Sequence, residues 1–313
     1  MGFRVSTTSS YLLFQRVLGL SNQRVLKSSE QLASGKRINR PSDDPEAVKT
    51  IASFRNSMGR IDQYLRNLQS ADRHWTQAEQ AINRVNEAMV RARELAIQGN
   101  NGTLGNEQRK MIAEEVHQLA QELLSAANTQ INGEFIFGGY RTNQKPFELD
   151  PNYPDADPAA VFLGDSNLKR IEINEGQTLE IQMQGDRIFS GAGGGDRVDL
   201  FQTLARLEQA LRTGNTDDND PESIGQAIED LGSALTQVQS DLASIGSRTR
   251  RIETTRDALV FQRDLIRQFI SEKEDVDLAE ATYEFQRAQL ALQATVSSAG
   301  AVLNMPSLMD FIR

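Results

Sequence analysis

Apolar residues recur every seven positions at both ends of this chain. Near the start Tyr11, Leu18, Val25 and Leu32 share one register, and Phe14 opens the companion register three residues on. Near the end Leu278, Phe285, Leu292 and Ala299 repeat the spacing, with Ala281, Ala288 and Val302 in the offset register. Such spacing lines side chains along one seam of a helix, and a seam leaves water only against a partner helix. Each terminal seam therefore predicts pairing with the other terminus, with further copies of the chain, or both. Helices of ~30 residues with a single apolar stripe are marginal alone, so the ends are expected to stay protease-sensitive until assembly.

Two longer seams lie between them. Ile61, Leu68, Trp75, Ile82, Met89 and Ala96 are seven apart, with Tyr64, Ala71, Ala78, Val85 and Ala92 in the companion register. Asp44 reads as the N-cap of this helix and Pro45 as its first position, where the missing N–H costs nothing. Carried from residue 47 to residue 98, the helix would span ~75 Å. Gly99-Asn100-Asn101-Gly102 turns the chain back into a second amphipathic helix marked by Ile112, Val116, Leu119, Leu123 and Ala126. The other long seam is Leu231, Val238, Ile245, Ile252, Leu259 and Ile266. Its companion register, Ile228, Leu235 and Leu242, turns polar at Thr249, Arg256 and Arg263. The two long helices are expected to lie antiparallel, with the shorter ones completing a bundle.

Between these helices the period changes. Phe135-Ile136-Phe137-Gly138-Gly139 is short, apolar and glycine-ended. Ile171 and Ile173 alternate with polar neighbours, Asn174-Glu175-Gly176-Gln177 turns, and Leu179, Ile181 and Met183 alternate again, a β-hairpin pattern. Residues 133–191 thus read as a β-rich insertion. The glycine-rich stretch 191–195 reads as a hinge, and Asp196 as the cap of a helix carrying Leu200, Leu204, Leu207 and Leu211. The expected fold is mainly α, an elongated helical rod built from both termini with a small β-rich inserted domain. Its divisions are 1–45 with 272–313 (terminal assembly helices), 46–132 with 192–271 (rod) and 133–191 (insertion). Ile61, Leu68, Trp75, Ile82, Met89, Leu231, Val238, Ile245, Ile252, Leu259 and Ile266 are the expected rod core.

Composition narrows the chemistry. Hydrophobic residues make up 38% of the 313 and aromatics 6%, which fits a thin core better than one large globule. Asp and Glu outnumber Lys and Arg by 43 to 34, a formal charge of −9, which argues against a nucleic-acid partner. There is no cysteine, so disulfides, thiol catalysis and zinc–thiolate sites are excluded. His74 and His117 have no second ligand at metal spacing. The acidic run 217–220 lacks the central glycine and terminal glutamate of a calcium loop. No Gly-x-Ser-x-Gly elbow occurs, and Glu114-Glu115, being adjacent, diverge around a helix and cannot face one substrate. Arg248, Arg250 and Arg251 read as a solvated, salt-bridging helix face. Neither an enzyme nor a cofactor is expected. Residues 1–20 lack a signal-peptide core, and no stretch approaches the ~20 apolar residues of a membrane span, so membrane insertion is not expected.

Several strings carry a resemblance. Leu32-Ala33-Ser34-Gly35-Lys36-Arg37-Ile38-Asn39 with Asp43-Asp44, Arg91-Ala92-Arg93-Glu94-Leu95-Ala96-Ile97-Gln98 with Asn101-Gly102-Thr103, Thr129-Gln130-Ile131-Asn132-Gly133, and Val276-Asp277-Leu278-Ala279-Glu280-Ala281 are similar to blocks of the bacterial flagellins. Within that superfamily two strings resemble the members that join hook to filament. They are Gly133-Glu134-Phe135-Ile136-Phe137-Gly138-Gly139-Tyr140, followed by Lys145-Pro146-Phe147, and Gly185-Asp186-Arg187-Ile188-Phe189. The C-terminal Met309-Asp310-Phe311-Ile312-Arg313 is more like filament flagellin, so a minor flagellin stays open. A cytoplasmic coiled-coil scaffold and an enzyme hidden in the insertion are the more distant readings. The resemblance implies an extracellular structural subunit, exported by the flagellar type III system without a cleaved signal. It further implies a homo-oligomeric ring on the preceding hook-associated protein that meets flagellin or the filament cap. A cytoplasmic export chaperone would cover the C-terminal helix, and Tyr11, Phe14, Leu18, Val25, Leu32, Leu278, Phe285, Leu292 and Val302 would form the assembly interface.

Overall fold

A computed structural model describes residues 3–192, 197–216, 220 and 222–303, with residues 3–10 and 301–303 described by their backbone alone. The fold is mainly α with small sheets only, and it divides into two units. One unit comprises residues 1–60 and 261–313, the other residues 61–260. The division falls inside two long helices, whereas the sequence divisions at 45/46 and 271/272 follow helix ends.

In the first unit, α1 (Phe3–Ser34) and α7 (Leu278–Leu303) pack on each other. The end of α1 meets the start of α7 through an antiparallel bridge between Lys36 and Asp275, so the two helices run in opposite directions. Also in this unit are the first turns of α2 (Pro45–Gly99) and the last turns of α6 (Ile224–Glu274). There Phe54 stacks on Phe269 with ring centroids 5.9 Å apart. Asp44 caps α2, accepting the Ala47 N–H at 3.0 Å, and Pro45 follows at the first helical position.

The second unit holds the rest of α2 and α6. Their seam positions from Ile61 to Met89 and from Leu231 to Leu259 are buried, and most are fully enclosed. Ile266, in the first unit, is buried as well. α3 (Asn106–Ala127) turns back after α2 and buries Ile112, Val116, Leu119, Leu123 and Ala126. It packs on α5 (Leu200–Thr213), whose Leu200, Leu204, Leu207 and Leu211 are all enclosed. A Cβ on Gly99 would lie 2.2 Å from Leu211 Cδ2, so with any other residue there the enclosed Leu211 would have to shift. The cap of α5 is Asp199, which accepts the Gln202 N–H at 2.9 Å, rather than Asp196. α5 begins at Leu200, three residues later than an Asp196 cap would set it. Asp196, Gly193, Gly194 and Gly195 of the expected hinge, and Asp217, Asp218 and Asn219 of the acidic run, lie outside the described residues.

The insertion is built from three separate two-stranded antiparallel ladders instead of one sheet. β1 (Gln130–Ile131) pairs with β2 (Glu134–Phe135) around Asn132 and Gly133, both at positive φ, which is the demand of a two-residue primed turn. β3 (Phe147–Leu149) pairs with β4 (Ala160–Phe162), and β5 (Arg170–Asn174) with β6 (Gln177–Glu180). The hairpin expected at 171–183 is therefore present but shorter, ending before Ile181 and Met183. A five-residue helix, α4 (Gly185–Phe189), closes the segment. Phe137, Phe147, Phe189 and Phe201 form one ring cluster, with centroids 5.2 to 6.3 Å apart, that fastens β3 and α4 to α5. Asn128 adds a polar fastening: its side-chain amide donates to the Phe147 carbonyl and accepts the Phe147 N–H, as a neighbouring strand would.

Candidate assembly interface

The first unit presents an unusual helix pair. Along α1 the protected side chains include Phe14, Ser21, Val25, Ser28 and Leu32, with Glu30 and Gln31 beside them at its end; along α7 they are Ala281, Phe285, Ala288, Leu292, Thr295 and Ala299. Only Ser21, Ala281 and Ala288 fall in the buried class, so the seam closed within the chain is shallow. Tyr11 and Leu278, at 53% and 58% exposure, and Leu18 stand outside it. Ser21 and Ser28 continue the companion register that Phe14 opens, so its protected positions after Phe14 are small and polar. Val302 lies outside the described side chains. Leu12, Leu13, Val17 and Leu20 on α1 and Tyr283, Leu290 and Val296 on α7 are also exposed. One chain thus leaves these apolar side chains open to solvent.

The connectors explain why the block from Leu32 to Asp44 has the residues it has. Gly35 ends α1 at φ +68°, a region unfavourable to residues with a Cβ. The Gly35 carbonyl then accepts the Val276 N–H, and the Glu274 carbonyl accepts the N–H of Arg37 at 2.7 Å. Arg37 Nη2 donates to the Lys273 carbonyl at 2.8 Å. The Glu274 carboxylate, almost wholly buried, is bridged by Lys36 and by Arg55, each at 2.6 Å. Asp43 accepts the N–H groups of Arg40 and Asn39 and pairs with Lys27. The Arg40 N–H is the strongest of the influences that hold this carboxyl below the usual range. The two chain ends are thus tied together where α1 and α7 meet their neighbours.

Several charged groups of the second unit are paired with one another. His117 Nδ1 lies 3.2 Å from the fully buried Glu208, which also receives two bonds from Arg212. Glu114 pairs with Arg212 and Glu115 with Arg91, so the adjacent carboxylates do point to different partners. Burial, then the charge of Glu208, pushes the Tyr153 phenol up. Arg248 lies over the Trp75 ring at 4.8 Å and bonds Glu180 at 3.1 Å, while the Trp75 indole N–H donates to the Glu180 carbonyl. The sequence reading of Arg248 as salt-bridging lacked Trp75, whose place beside it only the tertiary fold supplies. His74, whose Nδ1 is buried without a hydrogen bond, is pushed down by burial. Among the described residues no group of three or more His, Asp or Glu could hold a metal ion, and no helix is long and apolar enough to cross a membrane.

A helical protein whose two chain ends pair and leave an apolar face open is an assembly subunit in class. Two family models agree on which: the bacterial flagellin N-terminal helical region matches residues 5–142, and the bacterial flagellin C-terminal helical region matches residues 228–312. The chain belongs to the flagellin family. Among curated relatives, flagellar hook-associated protein 3 of Escherichia coli (strain K12) is 27% identical over 310 residues, covering 93% of this chain and 94% of that protein. Flagellin FlaB1 of Treponema pallidum (strain Nichols) is 25% identical over 311 residues, covering 99% of each. Among solved structures, flagellar hook associated protein-3 from Legionella pneumophila superposes with a TM-score of 0.61 at 17% identity, covering 71% of this chain and 98% of that one. FlgL from Bacillus cereus gives 0.55 at 19% identity, covering 70% and 99%. At these identities the superpositions establish the fold.

Proposed function

We propose that this chain is a structural subunit of the bacterial flagellum that forms the junction ring between hook and filament. On one side the ring meets the preceding hook-associated protein, and on the other flagellin or the filament cap. The observation that carries the junction over the filament reading lies in the insertion. The two strings that resemble junction members, 133–140 and 185–189, pack on each other: Phe137 meets Phe189 edge to face at 5.2 Å. The Phe137 carbonyl also closes on Gly185, where a Cβ would come within 2.3 Å of it. Both segments thus contribute to the insertion core, beside Phe147, Ile173 and Leu179.

The exposed apolar face of α1 and α7 becomes the contact between copies. It also gives a cytoplasmic export chaperone something to cover before secretion through the flagellar type III apparatus. The subunit acts by shape and carries out no reaction. Electron microscopy of a strain lacking the gene tests this reading. Intact hooks without filaments, with flagellin released into the medium, are the expected result. Attached filaments of normal or reduced length would support the second reading, a minor flagellin, which the FlaB1 similarity favours.

A further inference from the structure

Beside the β5–β6 hairpin lies a pocket of about 460 Å³ whose charged lining is Arg170, Glu180, Arg248 and Arg251. Glu180 bonds Arg170 at 3.0 Å and Arg248 at 3.1 Å, so one carboxylate is shared by two guanidinium groups. Arg251 is exposed, and among the described residues its side chain has no partner. Three arginines against one carboxylate leave the pocket positive on a chain whose formal charge is −9. Its floor is rigid. Arg248 is held between the Trp75 ring and Glu180, and Trp75 is itself enclosed and bonded to the Glu180 backbone. An incoming carboxylate would find guanidinium donors already in place, which reduces the ordering cost of binding.

On α2 and α3 two carboxylates unpaired among the described residues, Glu87 and Glu122, stand between arginines that are already engaged, Arg91 by Glu115 and Arg84 by Thr129. The contacts Arg91–Glu115 and Arg84–Thr129 fix how these helices face each other. In sequence Glu87 and Glu122 fall between the residues of those two contacts, one on each helix. Both are exposed, and among the described residues neither has a cation partner. In a ring each copy uses one patch toward the copy ahead and a different patch toward the copy behind. We propose that the Arg170–Arg248–Arg251 pocket of one copy receives the Glu87/Glu122 surface of the next, as the charged register of the ring. The proposal rests on the assembly reading above and adds to it the contact that fixes the order of copies. Opposite charges in such a contact select orientation and speed encounter.

The native chain has no cysteine, so engineered thiols are clean probes. Flagella are isolated from cells carrying Arg251→Cys, Glu122→Cys or both in the chromosomal copy, and treated with a short bismaleimide. The double variant is expected to give a ladder of cross-linked multimers and each single variant only monomer. Incorporated double variant that stays monomeric overturns the proposal, as does cross-linking of Arg251→Cys to itself. In parallel, Arg251→Glu is expected to reduce filament-bearing cells at least tenfold, with recovery when Glu87→Arg and Glu122→Arg are added. Undiminished filaments in Arg251→Glu would overturn the contact. If that charge reversal prevents folding, the thiol pair still decides. The outcomes separate from those of the junction reading. Loss of filaments in the deletion strain with no effect of Arg251→Glu rejects this contact alone, whereas attached filaments in the deletion strain reject the junction itself.

Discussion

Replacing Trp75 by Phe removes three things that the structure shows at one site. The indole N–H bond to the Glu180 carbonyl, 3.1 Å long and partly buried, is worth about 0.5–1.5 kcal/mol net. The Arg248 cation over the ring at 4.8 Å contributes about 0.5–1 kcal/mol, of which the weaker Phe face retains only part. The larger ring is enclosed, at 1% exposure, so its contraction leaves a void. Full truncation of Trp costs about 3–5 kcal/mol, and Phe restores most of the volume, leaving about 1 kcal/mol. Together these give a loss of about 2–3 kcal/mol from the second unit. In a unit of this size that lowers Tm by roughly 5–10 °C. Far-UV circular dichroism under heat or urea measures it, and because Trp75 is the only tryptophan, its fluorescence follows the same transition in the parent. A loss below about 1 kcal/mol would refute the reasoning, since the hydrogen bond and void alone exceed that. Adding Arg248→Met to both backgrounds isolates the part of the Trp75–Arg248 coupling that Phe does not retain, expected below about 1 kcal/mol.

Other expectations follow from the same geometry. Glu208→Ala should destabilise the α3–α5 pair by about 3 kcal/mol, the low end for breaking a buried pair, because the half-exposed Arg212 regains water; an unchanged urea midpoint would count against it. Although burial raises the Glu180 carboxyl, its bonds to Arg170 and Arg248 prevail and hold it below its ordinary value of 4.5. A lowered folded-state value stabilises above the unfolded one and is lost as pH falls through the folded one. Acid unfolding followed by Trp75 fluorescence should therefore begin at higher pH in Arg248→Met than in the parent; superimposable acid curves would contradict this. Phe285→Asp, placed half-buried on α7, should abolish filament attachment while leaving the melt of the second unit unchanged. Ile245→Asp, fully enclosed in α6, should abolish that melt, since a carboxylate there has no partner.

The sequence exposes the helices far better than the contacts between them. Ile61 to Met89 and Leu231 to Ile266 are legible because a seven-residue stripe on a long helix has one physical outcome, burial along its length. Asp44 and Pro45 are legible because capping is local. Ser21 and Ser28 are hidden, for a serine on a shallow seam looks like any surface serine. Asp199 is missed in favour of Asp196 because both are aspartates before one amphipathic run, and only the start of α5 separates them. Of the ladders in the insertion, β5–β6 is legible in its alternation around the Asn174–Gln177 turn, whereas the strands of β1–β2 and β3–β4, two or three residues long, are too short for a period. Trp75 over Arg248 and Glu208 between His117 and Arg212 join residues 173 and 91 positions apart, distances at which no local pattern acts. The connector block is a mixed case: its resemblance to flagellins identifies it, and only the structure shows Lys36 and Arg55 closing on Glu274.

The position of the subunit in the flagellum tests the account most directly. Asp155, in the exposed loop between β3 and β4, offers a place for an epitope tag. Immunogold labelling of flagella from cells carrying the tagged chain should give one compact band at the boundary of hook and filament. Label distributed along the filament, or no label on intact flagella, would contradict the junction assignment.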